Sequence, residues 1–288
     1  IEIPPAFRDQ TPVYPKLADS QIRGWSGTEG LAADVAAYGE WMRDTAEQRI
    51  GALYPDAVLS DGAKAPVVAW LWARTVACPN PACGVLMPLV RTWWLSTKKG
   101  GEVRAVPKLV PDSTRTSGTR VAFDLKFGRG PAGDGTVSGR AGATCVACDS
   151  LASVDYLRAE GRAGRMGQEL LAVVAFSGRK RVYVPASPEQ IAGALVPRPD
   201  VTVSGDIATN PRWFSPPAYG LTAFDHIFTA RQLTTLCVLS DLVGEARDRI
   251  KNDGGTVAYA DAVATYLGLG VSRTADLMNS MVTWSNSR

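Results

Sequence analysis

Histidine is almost missing: the 288 residues contain one, His226. That excludes chemistry needing a histidine pair, and a lone imidazole at a helix approach reads as structural. The His-x-Glu element of zinc deaminases is also lacking. The glycine-rich stretch at 161–167 has neither the Gly-Lys-Ser/Thr ending of a phosphate loop nor the G-x-G-x-x-G spacing of a dinucleotide site. No apolar run approaches the length of a membrane span, no signal peptide is recognisable and no internal repeat is visible. The expected setting is cytoplasmic, with no membrane partner. The chain starts at Ile1 without a methionine, so it reads as a piece of something longer.

Cysteine is scarce but patterned. Four of the five form two close pairs, Cys78/Cys83 in Cys78-Pro79-Asn80-Pro81-Ala82-Cys83-Gly84 and Cys145/Cys148 in Cys145-Val146-Ala147-Cys148. Proline and glycine supply turn chemistry around the first pair. Two such turns can present four thiolates at the corners of the tetrahedron that Zn²⁺ prefers. Disulfides and unligated core thiols are the competing readings. An odd count with this spacing favours a reducing compartment and a metal over a secreted disulfide framework. Cys237 stands alone in an apolar helical run and reads as a core thiol. Four thiolates close a zinc site, leaving no position for a catalytic water.

The net charge is only +3, but the charge is unevenly placed. Between the cysteine pairs lie ten cations (Arg91, Lys98, Lys99, Arg104, Lys108, Arg115, Arg120, Lys126, Arg129, Arg140) against four anions, a local excess of six. Such an excess attracts polyanions whatever the global balance. Trp93 and Trp94 beside Lys98 and Lys99 suit either a base-stacking platform or the cover of a small core. Arg158, Arg162 and Arg165, interleaved with glycines, suit either a phosphate-gripping loop or a plain surface turn. Lys98, Lys99, Arg158, Arg162 and Arg165 are the candidate DNA-binding residues. No catalytic residue is assigned: Ser215-Pro216-Pro217-Ala218-Tyr219 approximates the amine-binding motif of amino-methyltransferases, but Ala218 displaces the aromatic ring.

Periodicity predicts an α+β chain in three consecutive parts. Residues 1–65 form an extended connector plus an amphipathic helix from Glu29. Residues 66–185 form a zinc-ribbon-like β subdomain with a basic insert, its strands at 66–77, 85–90, 121–127, 170–176 and 181–184. Residues 186–288 are mainly helical, with Ser187 and Thr229 as helix caps and two long helices folded as an antiparallel pair.

Several stretches together resemble a known family: IEIPP at 1–5, VAWLWARTV at 68–76 running into CPNPACG at 78–84, PLVR at 88–91, RAEGRAGRMG at 158–167, FTARQL at 228–233 and YADAVATYL at 259–267. These resemble the zinc-ribbon-containing, adenine-specific DNA methylases that carry a DUF1156 region, found near restriction and phage-defence systems. The resemblance implies the central segment of an S-adenosylmethionine-dependent methyltransferase, or an insertion in its Rossmann-like fold. A glycine-rich cofactor motif would precede Ile1 and an Asp-Pro-Pro-Tyr motif would follow Arg288. S-adenosylmethionine is then expected only for the intact enzyme, Zn²⁺ is structural, and the partners are DNA, the rest of the methyltransferase and other defence-system proteins. The alternative is a non-catalytic zinc-ribbon nucleic-acid-binding or adaptor protein.

Overall fold

The computed structural model describes residues 2–18, 24–131, 133–139, 141–200, 203–210 and 215–285. Ile1, Arg140 and residues 211–214 of the proline-rich loop lie outside them. Along the chain run α1 (Ile3–Ala6), α2 (Pro15–Ala18), α3 (Glu29–Ile50), β1 (Ala57–Val58), β2 (Lys64–Ala65), β3 (Val67–Ala77), β4 (Leu86–Leu89), β5 (Trp94–Ser96), β6 (Val103–Pro111), β7 (Thr119–Phe127), β8 (Val137–Ser138), β9 (Gly142–Thr144) and β10 (Leu151–Ala152). Then follow α4 (Val154–Arg162), β11 (Gly167–Ser177), β12 (Lys180–Val184), α5 (Pro188–Ala192), α6 (Ala230–Asn252) and α7 (Val257–Leu277). The class is α+β. Every strand pairing among the described residues is antiparallel.

The three consecutive parts expected from the sequence are regrouped. One compact unit comprises Ile1–Leu53, Leu195–Val203 and Phe228–Val282; the other comprises Tyr54–Ala194, Ser204–Ile227 and Thr283–Arg288. Helical periodicity shows which residues belong together but not that a helix near residue 40 packs on helices 200 residues later.

In the helical unit, α3, α6 and α7 bring apolar positions spaced about one turn apart into one core. Tyr38 and Met42, Leu242, Ala246 and Ile250, and Tyr259, Val263 and Leu267 fill it. The start of α6 is a capping box: Thr229 Oγ1 accepts from the Gln232 amide at 3.2 Å while Gln232 Oε1 accepts from the Thr229 amide at 2.8 Å. Thr256 caps α7 in the same manner. An Arg247–Asp261 ion pair joins α6 and α7 across their short connection. Beyond this core, Leu277 at the end of α7 and Met281 after it are exposed.

Residues 1–28 are not merely a connector. Asp34, fully buried on α3, accepts hydrogen bonds from the Val13 amide (2.8 Å), the Tyr14 amide (3.0 Å) and the Tyr259 hydroxyl (2.7 Å). One carboxylate thus fixes the N-terminal segment and α7 to α3. Burial raises its pKa, opposed by those hydrogen bonds.

In the β-rich unit, a sheet of order β12-β11-β3-β4 shares a core with the sheet β5-β6-β7. The run LLAVVA in β11 is buried throughout. Both faces of its sheet are covered, by the β5-β6-β7 core on one side and by β1, β2 and α5 on the other. Ser187 caps α5, accepting from the Gln190 amide. The carboxamide of Gln190 accepts from the Trp70 indole and donates to the carbonyls of Pro55 and Asp56. A third sheet, β10-β9-β8, has strands of two or three residues only.

Replacing Asp34 with alanine leaves two amides and a hydroxyl buried without their acceptor, each costing about 1–3 kcal/mol. The expected loss of stability is at least about 3 kcal/mol, read from the chemical-denaturation midpoint of the helical unit.

Candidate metal centre

Strand β3 delivers Cys78 into a turn from which β4 returns, and β9 delivers Cys145 into a turn from which β10 returns. The two turns are built alike. The Cys78 amide donates to the Val85 carbonyl at 2.8 Å and the Cys145 amide to the Ser150 carbonyl at 3.0 Å, in each case two residues past the second cysteine. The residue directly after that cysteine is left-handed in both: Gly84 has φ +58 and Asp149 has φ +57. Glycine adopts this freely, and aspartate is among the few residues that tolerate it.

All four sulfur atoms lie within 4.8 Å of one another. Cys78 Sγ is 3.6 Å from Cys148 Sγ, and Cys83 Sγ is 3.9 Å from Cys145 Sγ. These contacts pair one cysteine from each turn and are far beyond a covalent S–S bond of about 2.05 Å. A tetrahedron with metal–sulfur bonds of about 2.3 Å has edges of about 3.8 Å, which these two separations straddle. The four cysteines expected from spacing are therefore one cluster able to hold a metal ion, and the disulfide reading is excluded. Cys237 lies elsewhere, half-buried on α6.

Burial pushes the Cys78 thiol up to about 12 and raises Cys145 also. Hydrogen bonding with Ser150 brings Cys148 down to about 6. Four sulfurs this close do not all ionise unaided; a divalent cation supplies the charge that makes four thiolates tolerable. Two donors already face the sulfurs, the Ala147 amide at 3.5 Å from Cys145 Sγ and the Asn80 side-chain amide at 3.8 Å from Cys148 Sγ, while the Cys148 thiol donates to the Ser150 hydroxyl oxygen at 3.3 Å. Asn80 and Ser150 were not anticipated as part of the site; each lies two residues from a cysteine, in reach of the turn.

Beneath the sulfurs is a small apolar cluster of Val76, Met87, Ala143, Ala152 and Leu157. Leu157 belongs to α4, where the sequence suggested a loop or turn. Ser153 caps this helix, accepting from the Tyr156 amide, and the Tyr156 hydroxyl donates to the Ala77 carbonyl at 3.0 Å. So α4 is tied to the residue preceding Cys78. Its glycine serves a protein contact, not a ligand: a Cβ on Gly161 would sit 2.4 Å from the Tyr219 carbonyl oxygen. The segment Pro216–Tyr219 forms a 3₁₀ turn against α4. Ser215-Pro216-Pro217-Ala218-Tyr219 is thus used for packing.

The candidate DNA-binding cations differ in availability. Lys98 and Lys99 are exposed in the β5–β6 turn, and Arg162 is exposed at the end of α4. Arg165 is held by Glu160 through two hydrogen bonds of 2.6 and 3.0 Å, and these bonds keep that carboxyl below its ordinary range. Arg158 lies over the Tyr219 ring at 5.9 Å and 3.7 Å from Asp155. The three arginines are thus distributed on a helix and the turn after it. Of the paired tryptophans, Trp93 is in the core and Trp94 is half-buried beneath Arg104. His226 Nδ1 accepts from the Thr222 and Ala223 amides, a structural role.

Comparison of the chain with family models, with curated proteins and with solved structures returns no match.

Protein purified under reducing conditions is expected to carry one tightly held metal per chain by atomic absorption. Cys145→Ser should reduce this well below stoichiometric and lower the melting temperature, whereas Cys237→Ser should leave the metal content unchanged. For the α4 contact, Gly161→Ala should destabilise by about 1–3 kcal/mol through overpacking. Gly244→Ala, at an open helical position on α6, should instead stabilise by up to about 1 kcal/mol. Thermal melts of the two variants should move in opposite directions.

Proposed function

We propose that this chain is the central segment of an S-adenosylmethionine-dependent, adenine-specific (N6) DNA methyltransferase. In this reading it supplies a structural zinc ribbon and contacts to DNA, not the catalytic groups. The observation that carries the structural half is the four-sulfur cluster within 4.8 Å. Soft thiolates in a tetrahedral set suit zinc, with its fixed charge and lack of redox chemistry. With all four positions filled by sulfur, zinc gives its binding energy to folding.

The methyltransferase half is supported by the sequence resemblance and by the placement of the cations. Lys98, Lys99 and Arg162 are exposed and have no carboxylate within ion-pair distance among the described residues. Arg165 contributes chiefly by bracing α4 through Glu160, and Arg158 by its contact with Tyr219. The rest of the methyltransferase, and defence-system proteins, are the proposed protein partners. A second reading, a non-catalytic zinc-ribbon adaptor that binds nucleic acid, is favoured by one observation: Ser215-Pro216-Pro217-Ala218-Tyr219, the only approximation to a base-acting motif noted in the sequence, is packed on α4.

Methylation with labelled cofactor separates the two. The methyltransferase reading expects transfer to adenine in DNA by a protein joining this chain to a glycine-rich cofactor motif and an Asp-Pro-Pro-Tyr motif, and none by the isolated chain. Cys145→Ser in the joined protein should abolish that transfer. Turnover by the isolated chain, or an inert joined protein that still binds DNA, would overturn it.

A further inference from the structure

The three-stranded sheet β5-β6-β7 has two unlike faces. Leu95, Val103, Ala105, Val121 and Phe123 point into the core. Alternation sends Trp94, Arg104, Lys108, Arg120 and Lys126 to the opposite face. Of the carboxylates there, Asp124 is paired with Lys108 at 2.6 Å, and Asp112, on the adjoining turn, stands 3.8 Å from Arg120.

One observation on this face points to an anion, and a second shows how the arginine that would meet it is held. First, Arg104 and Lys126 are directly opposite in the β6–β7 register, and like charges so placed repel. Neither has a carboxylate within ion-pair distance among the described residues. Second, Arg104 Nη1 is buried with no hydrogen-bond partner. The guanidinium lies over the Trp94 ring at 5.8 Å and against the backbone of Gly130, where a Cβ would stand 2.3 Å from Nη1. It is held in a fixed attitude, with Nη1 turned into the protein and the rest of the fork left to meet a ligand. Anionic oxygen meeting both cations removes the repulsion and can use the remaining donors of the fork.

We propose that this face carries the phosphate backbone of DNA, with Arg104 and Lys126 as its central contact. From Arg120 to Lys126 the cations extend over about 20 Å of strand. A track of that length suits a polyanion better than a single small anion. The β5–β6 turn with Lys98 and Lys99 lies at the same end of the sheet as Arg104 and Lys126, so the track continues the DNA contacts proposed above, and it rests on that reading. Trp94 sits beneath Arg104 and orients it, leaving little ring for a base. Binding is therefore to backbone, with little sequence preference.

The test is fluorescence anisotropy of labelled duplex and single-stranded oligonucleotides with the zinc-replete full chain over a salt series. Variants are Lys126→Gln, the double Arg104→Gln/Lys126→Gln and, separately, Lys98→Gln/Lys99→Gln. The double variant should weaken binding roughly tenfold and flatten the log K against log salt slope by about 1.8, near 0.9 per lost phosphate contact. Lys126→Gln alone, an exposed change that leaves the Trp94–Arg104 packing in place, should remove about half of that slope change. Unchanged affinity in Lys126→Gln with normal zinc content, while Lys98→Gln/Lys99→Gln binds more weakly, overturns the sheet-face proposal and leaves the DNA-contact reading standing. Absence of wild-type binding to either oligonucleotide overturns both.

Discussion

Two reverse turns more than sixty residues apart in sequence bring four sulfur atoms to within 4.8 Å, and much of the β-rich unit is arranged around that approach. Each turn closes its own backbone hydrogen bonds, so each is a local structure that needs little from the other. Bringing them together is the costly part. Cys78 and Cys145 lose their water, and their thiols resist ionisation as a result. The apolar cluster beneath is small, and the sheet β8-β9-β10 has strands of two or three residues, shorter than pairing alone sustains. A cation held by the four sulfurs would supply what the core does not, and α4 would be carried with it through Tyr156 and Leu157.

Much of this was legible in the residues. The cysteine spacing named all four members of the cluster. The apolar run in β11 and the strand β3 were visible from composition, and the caps Ser187 and Thr229 from the residues that follow them. Strand β6 was not legible: Pro107 and Pro111 interrupt it, and proline argues against a strand interior. Helix α4 was hidden by Gly161 and by the glycines that follow the helix, which suggest a loop until the backbone of Tyr219 is seen against Gly161. The regrouping into two units was invisible because it depends on pairings between distant segments, which no local pattern records.

Charge shows the same division between count and placement. Arg165 adds to the cationic total, yet its guanidinium is committed to Glu160, while Lys108 is partly cancelled by Asp124. The cations left over, on the outer face of β5-β6-β7 and in the turn beside it, come from strands whose other side is a hydrophobic core. Alternation that buries Val103 and Ala105 in the core necessarily turns Arg104 to the opposite face. Core and charged surface are therefore two consequences of one pleat, and a substitution that shifts the register of β6 by one residue would exchange them.

The hydrogen bond between Asp34 and Tyr259 spans 225 positions of the chain. During synthesis at about 5–20 residues per second, the apolar side of α3 leaves the ribosome roughly 10–40 s before α6 and α7 exist to cover it. The two cysteine turns, by contrast, are both out well before then and can bring their four sulfurs together. Helix α3 thus waits for partners made some 200 residues later, and its exposed stripe is a ready site for a chaperone in the interval.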